Sequence, residues 1–99
     1  MLPPAGEAFE REYGCSVTEW RRWMPEAVHG HALQMGEASL EVCIGAGTLH
    51  IEWTVLEPRR IALAVIPRLM VRFRYQAVDE AARLAFQRRF DLHLQRGGG

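Results

Sequence analysis

Arginines 68, 72 and 74 alternate with Leu69, Val71, Phe73 and Tyr75 in the stretch RLMVRFRY. A basic row at a spacing of two can hold phosphates or carboxylates, because each guanidinium presents a planar fork of donors. Three other constellations could carry chemistry. Cys43 and His50 are near enough in the chain to meet across a turn, as a nucleophile and its base would. His29 and His31 flank Gly30, a spacing that suits a metal only if further ligands converge on it. Arg89 and His93, four apart beside Phe86 and Phe90, would set two polar groups on the rim of an apolar surface.

Each constellation also has a plainer use. Binders of single-stranded nucleic acid pair a basic groove with exposed aromatic platforms. Here Phe73 and Tyr75 alternate onto the face opposite Arg68, Arg72 and Arg74, and Glu41, His50 and Glu52 fall on the arginine side. Cross-strand charge pairs would account for that face, leaving an anion-binding surface as the sharper reading and disfavouring nucleic acid. An open sheet face does not exclude water, so Cys43 and His50 are not expected to form a catalytic pair. No metal, cofactor or catalytic set is expected.

The elements that must position these residues follow from periodicity. Pro3-Pro4 followed by AGEAFEREY predicts a short helix stopped at Gly14. Ser16 with Glu19 three residues on has the spacing of a capping box, so a second helix should start near residue 17, with Pro25 ending or kinking it and PEAVHG able to supply one more turn before Gly30. Trp20 and Trp23 would share one face of it. From residue 37 the period is two, predicting strands over EASLEVCIG and TLHIEWTVL joined by Gly45-Ala46-Gly47. Glu57-Pro58-Arg59-Arg60 reads as the next turn, and IALAVI as a strand covered on both faces. Pro67 marks a bulge or edge before RLMVRFRY resumes the alternation.

Residues 79–96 return to helical spacing, with Asp79 as N-cap. Glu80, Arg83, Gln87 and Asp91 form a polar arc, and Ala82, Phe86, Phe90 and Leu94 an apolar stripe. A second stripe of Ala81, Ala85 and Leu92, with Leu84 and the stem of Arg88, predicts that this helix packs on two things: the sheet, and either the N-terminal helices or a partner. The expected architecture is a two-layer α+β domain over residues 1–96. It holds a four-stranded antiparallel meander, N-terminal helices and a long C-terminal helix, followed by a glycine tail at 97–99.

Composition bounds the function. All twelve basic side chains are arginine, with no lysine or asparagine, a bias that weakens any reading of one arginine as specially chosen. Residues 1–58 hold nine glutamates against three arginines, and residues 59–99 nine arginines against three acids, so a net of −6 faces a net of +6. No run approaches the roughly 20 apolar residues of a membrane span, and MLPPAGEAFE does not read as a secretion signal. The expectation is a cytoplasmic protein whose two cysteines are reduced and partly buried. The function expected is a non-enzymatic interaction module that forms a homodimer through Trp20, Trp23, Leu84, Arg88 and Leu92. The alternatives are a binder of a small apolar or anionic ligand between sheet and C-terminal helix, using Arg89, His93, Phe86 and Phe90, and nucleic-acid binding on the arginine face.

Overall fold

A computed structural model of the chain describes residues 7–95. The fold is α+β: β1 (Ala8–Tyr13), α1 (Val17–Ala27), β2 (Leu33–Met35), β3 (Ser39–Ile44), β4 (Gly47–Ile61), β5 (Ala64–Gln76) and α2 (Glu80–His93). The strands form one antiparallel sheet in the order β1-β5-β4-β3-β2. The sheet therefore has five strands instead of four: β2 to β5 form a four-stranded meander, and β1 pairs out of order with β5.

The N-terminal helix expected up to Gly14 is a strand over its described part; Pro3 and Pro4 lie outside the described residues. In AFEREY, Phe9, Arg11 and Tyr13 turn toward the helices while Ala8, Glu10 and Glu12 face out. Phe9 stacks on Phe73 with ring centroids 4.7 Å apart, and Glu10 lies opposite Arg72. Those tertiary gains outweigh the modest helix propensity of glutamate and arginine. The three-residue strand β2 also had no periodic signal of its own.

The caps formed as the spacing predicts. Ser16 Oγ accepts from Glu19 N–H at 3.1 Å while the Glu19 carboxylate accepts from Ser16 N–H at 3.0 Å. Asp79 accepts from Ala82 N–H at 2.8 Å. Pro25, expected to end or kink α1, sits inside it, and the helix runs two residues further to Ala27. The lost donor falls in the final turn, where the helix is about to stop at His29 (φ 40°) and Gly30 (φ 90°).

Both helices cover one face of the sheet. Leu40, Val42, Leu49, Ile51, Leu69, Val71 and Phe73 project into a core filled from above by Trp20, Met24, Phe86 and Phe90. Fully burying such a side chain contributes about 1.5–3 kcal/mol. Trp20 packs edge-on to Trp53 and Phe90, and Phe73 edge-on to Phe90, tying sheet, α1 and α2 together.

The largest departure is the β4–β5 hairpin. Glu57-Pro58-Arg59-Arg60 is not a turn but part of β4, with a bulge between Leu56 and Arg59. IALAVI is not a covered strand: Ile61 pairs with Ala64 across a two-residue turn, Ala62-Leu63, with Ala62 at φ 53°. β3 ends its pairing at Glu52 and β1 at Leu69, so the hairpin continues past both neighbours as a two-stranded arm. It lies in a molecule whose longest dimension is 46 Å. An unbroken apolar run suits two covered faces, but among the described residues nothing covers this one.

Candidate functional site

The arm concentrates the exposed apolar side chains. Among the described residues the large exposed hydrophobics are Val55, Ile61, Leu63, Val65 and Ile66 on the arm, and Leu84 and Leu92 on α2. Leu63, at the tip, is fully exposed. Glu57 and Arg60 are exposed on the same arm, without ion pairs among the described residues. Pro58 and Pro67 remove a backbone donor from each arm strand. Tyr75 donates its N–H to Glu7, so odd-numbered residues of β5 point their N–H toward the β1 side, where Pro67 has none to offer. Pro67 thus guards the β5 edge of the arm, and each face mixes apolar side chains with charge: Ile66 lies opposite Arg59 and Val65 opposite Arg60.

On α2, Leu84, Arg88 and Leu92 lie exposed along one line, and Trp23 of α1 is half-buried against the core. Trp20 offers no surface: it is buried among Tyr13, Trp53 and Phe90, its indole Nε1 without a hydrogen-bond partner among the described residues.

The outer sheet face carries Arg68, Arg72 and Arg74 with the neighbours expected there, but their acids come from β1. Arg68 donates to both oxygens of Glu12, at 3.1 and 3.3 Å, and Arg59 also reaches Glu12, at 3.7 Å. Arg72 donates to Glu10 at 3.1 Å and to Thr54 Oγ1 at 3.4 Å. Arg74 has no ion pair among the described residues and lies opposite His50 and Ala8. His50 holds Glu41 at 3.1 Å through Nδ1 and Gln76 at 3.3 Å through Nε2. With both ring nitrogens occupied, His50 is not set as a base for Cys43, which is exposed opposite Thr48. Cys43 therefore departs from the expectation of two partly buried thiols, whereas Cys15 is buried, its thiol pushed up to about 11 by burial and then by nearby Glu19.

A polar chain crosses from the sheet to α2 beneath the apolar layer. Tyr75 Oη donates to Gln87 Oε1 at 2.6 Å, Gln87 Nε2 donates to Asp91 Oδ1 at 2.9 Å, and Arg11 Nη1 donates to the same Asp91 oxygen. Gln87 is 2 % exposed, and Arg11 lays its guanidinium over the Phe9 ring, 5.0 Å from the centroid. Burial pulls the Arg11 pKa down, but the hydrogen bond and charge of Asp91 outweigh it and leave it raised. Burial raises Tyr75, helped by the Asp91 charge, and lifts Tyr13 to about 12. Gln87 and Asp91, expected on a solvent arc, are therefore the helix's link to the sheet. The side expected as a second packing stripe, with Leu84 and Leu92, faces outward.

Phe86 and Phe90 fill the core, whereas Arg89 is exposed and His93 half-buried. The latter two open, with His29 and Leu92, onto a groove of about 260 Å³ between the ends of α1 and α2. The structure thus splits the four residues between two places instead of gathering them between sheet and helix. His29 and His31, expected as a solvent-facing loop pair, pack on Phe86 with centroids 4.8 and 5.2 Å away. Among the described residues no group of three metal-ligating side chains converges, and no helix is long and apolar enough to cross a membrane.

No protein-family model matches the chain, and no curated protein matches it.

Proposed function

We propose that the chain is a protein-interaction module without enzymatic activity, and that its partner on the arm is a second copy of itself. The carrying observation is the clustering of Val55, Ile61, Leu63, Val65 and Ile66 on a hairpin that reaches beyond its sheet. Isolated exposed hydrophobics need no explanation, but several on one projecting hairpin do: Ile61 and Ile66 on its outer face, Val55 and Val65 on the other, and Leu63 at the tip. A two-fold axis perpendicular to the arm, level with Pro58 and Arg59, runs two copies antiparallel and packs the same side of the arm on itself, as closed dimers do. That arrangement also brings Glu57 of one copy toward Arg60 of the other, satisfying two charges unpaired within the chain. Pro67, which removes a donor from the β5 edge, favours packing of faces over open-ended strand addition there.

The other readings have less support. Phe86 and Phe90 occupy the space in which a ligand between sheet and helix would sit. Glu10 and Glu12 already neutralise much of the arginine face, and its aromatic neighbours are buried.

The test is the solution mass by light scattering and sedimentation, for the natural chain and for Leu63→Glu and Ile61→Glu. A dimer is expected, with either substitution weakening it about tenfold or more, since losing one buried aliphatic contact is worth over 1 kcal/mol, about a factor of ten in affinity. Glu57→Arg alone should weaken the dimer, and adding Arg60→Glu should restore it. A monomer at about 100 μM, or a dimer indifferent to Leu63 and Ile61, overturns the reading.

A further inference from the structure

The groove between α1 and α2 has a composition that neither the core nor the arm explains. Its walls are Ala27 and Leu92, and its polar groups are Glu26 and His29 from the end of α1 and Arg89 and His93 from α2. His31 joins from the loop, edge-on to His29 with centroids 4.9 Å apart. Arg89 has no ion pair among the described residues, even though Glu26 lines the same groove.

The histidines are oriented. His29 Nδ1 lies 3.1 Å from the Ala27 carbonyl and His31 Nδ1 lies 3.0 Å from the Val28 carbonyl. A carbonyl only accepts, so Nδ1 carries the proton in each ring and Nε2 takes up the second one. Phe86 fixes both rings from below. The result is a fixed arginine with imidazoles that become N–H donors on protonation, beside a short apolar wall.

We propose that this groove is a proton-gated oxyanion site, in which Arg89 and the protonated imidazoles of His29 and His93 hold a sulfate-like or carboxylate group. Arginine supplies the permanent charge and a two-pronged donor set. In the empty groove burial, and then the charges of Arg89, His31 and His93, hold the His29 pKa below its ordinary value, against the pull of the Ala27 carbonyl. A bound anion reverses the repulsive part. By linkage, the anion must then raise the histidine titration points by as much as protonation tightens the anion. Glu26 opposes the anion from the α1 side. This inference does not depend on the dimer, because the arm takes no part in the groove.

The experiment follows the histidine ring signals by NMR in the natural chain while sulfate or butyrate is added at constant ionic strength, at about pH 5.5 and about pH 8. Sulfate keeps its charge across that range, and butyrate stays about four-fifths ionised at the lower pH, a small loss that works against the expected trend. Binding about tenfold tighter at the lower pH is expected, with the His29 titration point moving upward when the anion is present. Arg89→Ala should weaken binding about tenfold or more, and Glu26→Gln should strengthen it. Arg89 is exposed, so the fold tolerates its loss. Binding of both probes supports a general oxyanion site, and binding of butyrate alone supports one for organic carboxylates that uses the Leu92 wall. Absence of any shift at about 50 mM of either probe, affinity indifferent to pH, or affinity unchanged in Arg89→Ala overturns the proposal.

Discussion

The hydroxyl of Tyr75, on the last strand, donates to the side-chain oxygen of Gln87, on the C-terminal helix, at 2.6 Å and out of reach of water. This bond fixes how α2 is rotated on the sheet. Tyr75→Phe leaves a buried amide oxygen unpaired and should cost about 1–3 kcal/mol in urea unfolding. Gln87→Leu should cost a similar amount, and the double substitution less than the sum of the two. Additive losses would show that the bond carries no coupling.

Asp91 receives both Arg11 and Gln87 on one oxygen. Asp91→Ala should therefore destabilise more than Arg11→Met. The first strands a cation and an amide; the second leaves Asp91 still bonded to Gln87 and puts an apolar side chain where the guanidinium lay over Phe9. With these side chains 13 % and 25 % exposed, a loss of about 2 kcal/mol is expected for Asp91→Ala, below the roughly 3–5 of full burial. Thermal and urea unfolding of the two variants rank them.

The cysteines should behave oppositely. Cys43 should react with a thiol reagent in the native chain, and Cys15 only after unfolding. The Cys15 thiol rises from its ordinary 9.0 to about 11 in the fold, so both states keep the proton below about pH 9 and its full contribution is present there. Above that, the unfolded chain ionises first, and stability should fall by up to about 1.4 kcal/mol per pH unit until the folded thiol also ionises. Tyr13 adds the same sign between its ordinary 10.0 and about 12. Cys15→Ala should remove the first part of this alkaline slope; an unchanged slope between pH 9 and 10 would refute the assignment.

Gly47 opens β4 and is buried, and a methyl group there would lie 2.6 Å from the Gln76 carbonyl oxygen and closer still to that of Ala77. Both are backbone atoms, so Gly47→Ala must displace the β4–β5 ladder and should cost about 1–3 kcal/mol. Gly45, in the same turn, has a φ of 59°, and Gly45→Asn should be nearly neutral because asparagine tolerates that conformation. Comparing melting temperatures of the two variants separates crowding from backbone strain.

Much of the sheet was legible because alternation reports burial directly: Leu49, Ile51 and Trp53 point in, and His50 and Glu52 point out. The helix caps were legible because Ser16, Glu19 and Asp79 act locally. β1 was hidden by Arg11, a charge at an inward position that becomes favourable only when Asp91, eighty residues away, supplies its partner. Gln87 was hidden for the same reason. The arm was misread because an apolar run such as IALAVI carries no phase: a covered strand and an uncovered hairpin tip look alike to periodicity. In the candidate groove, Arg89 and His93 were visible at helical spacing, but Phe86 as the platform for His29 and His31 required the fold.

The position of β1 also bears on how the chain matures. It is made before the other four strands, yet among the described residues its ladder partner is β5, the last of them, and its partly buried Arg11 waits for Asp91, eighty residues on. On a ribosome adding about 5–20 residues per second, β1 must stay unpaired for several seconds while β2 to β5 emerge and pair with one another. Docking of β1 and α2 is then a single late event that closes the core from both ends of the chain. Such distant pairing slows folding toward the millisecond-to-second range typical of non-local topologies, and it makes β1 and α2 the last elements to commit.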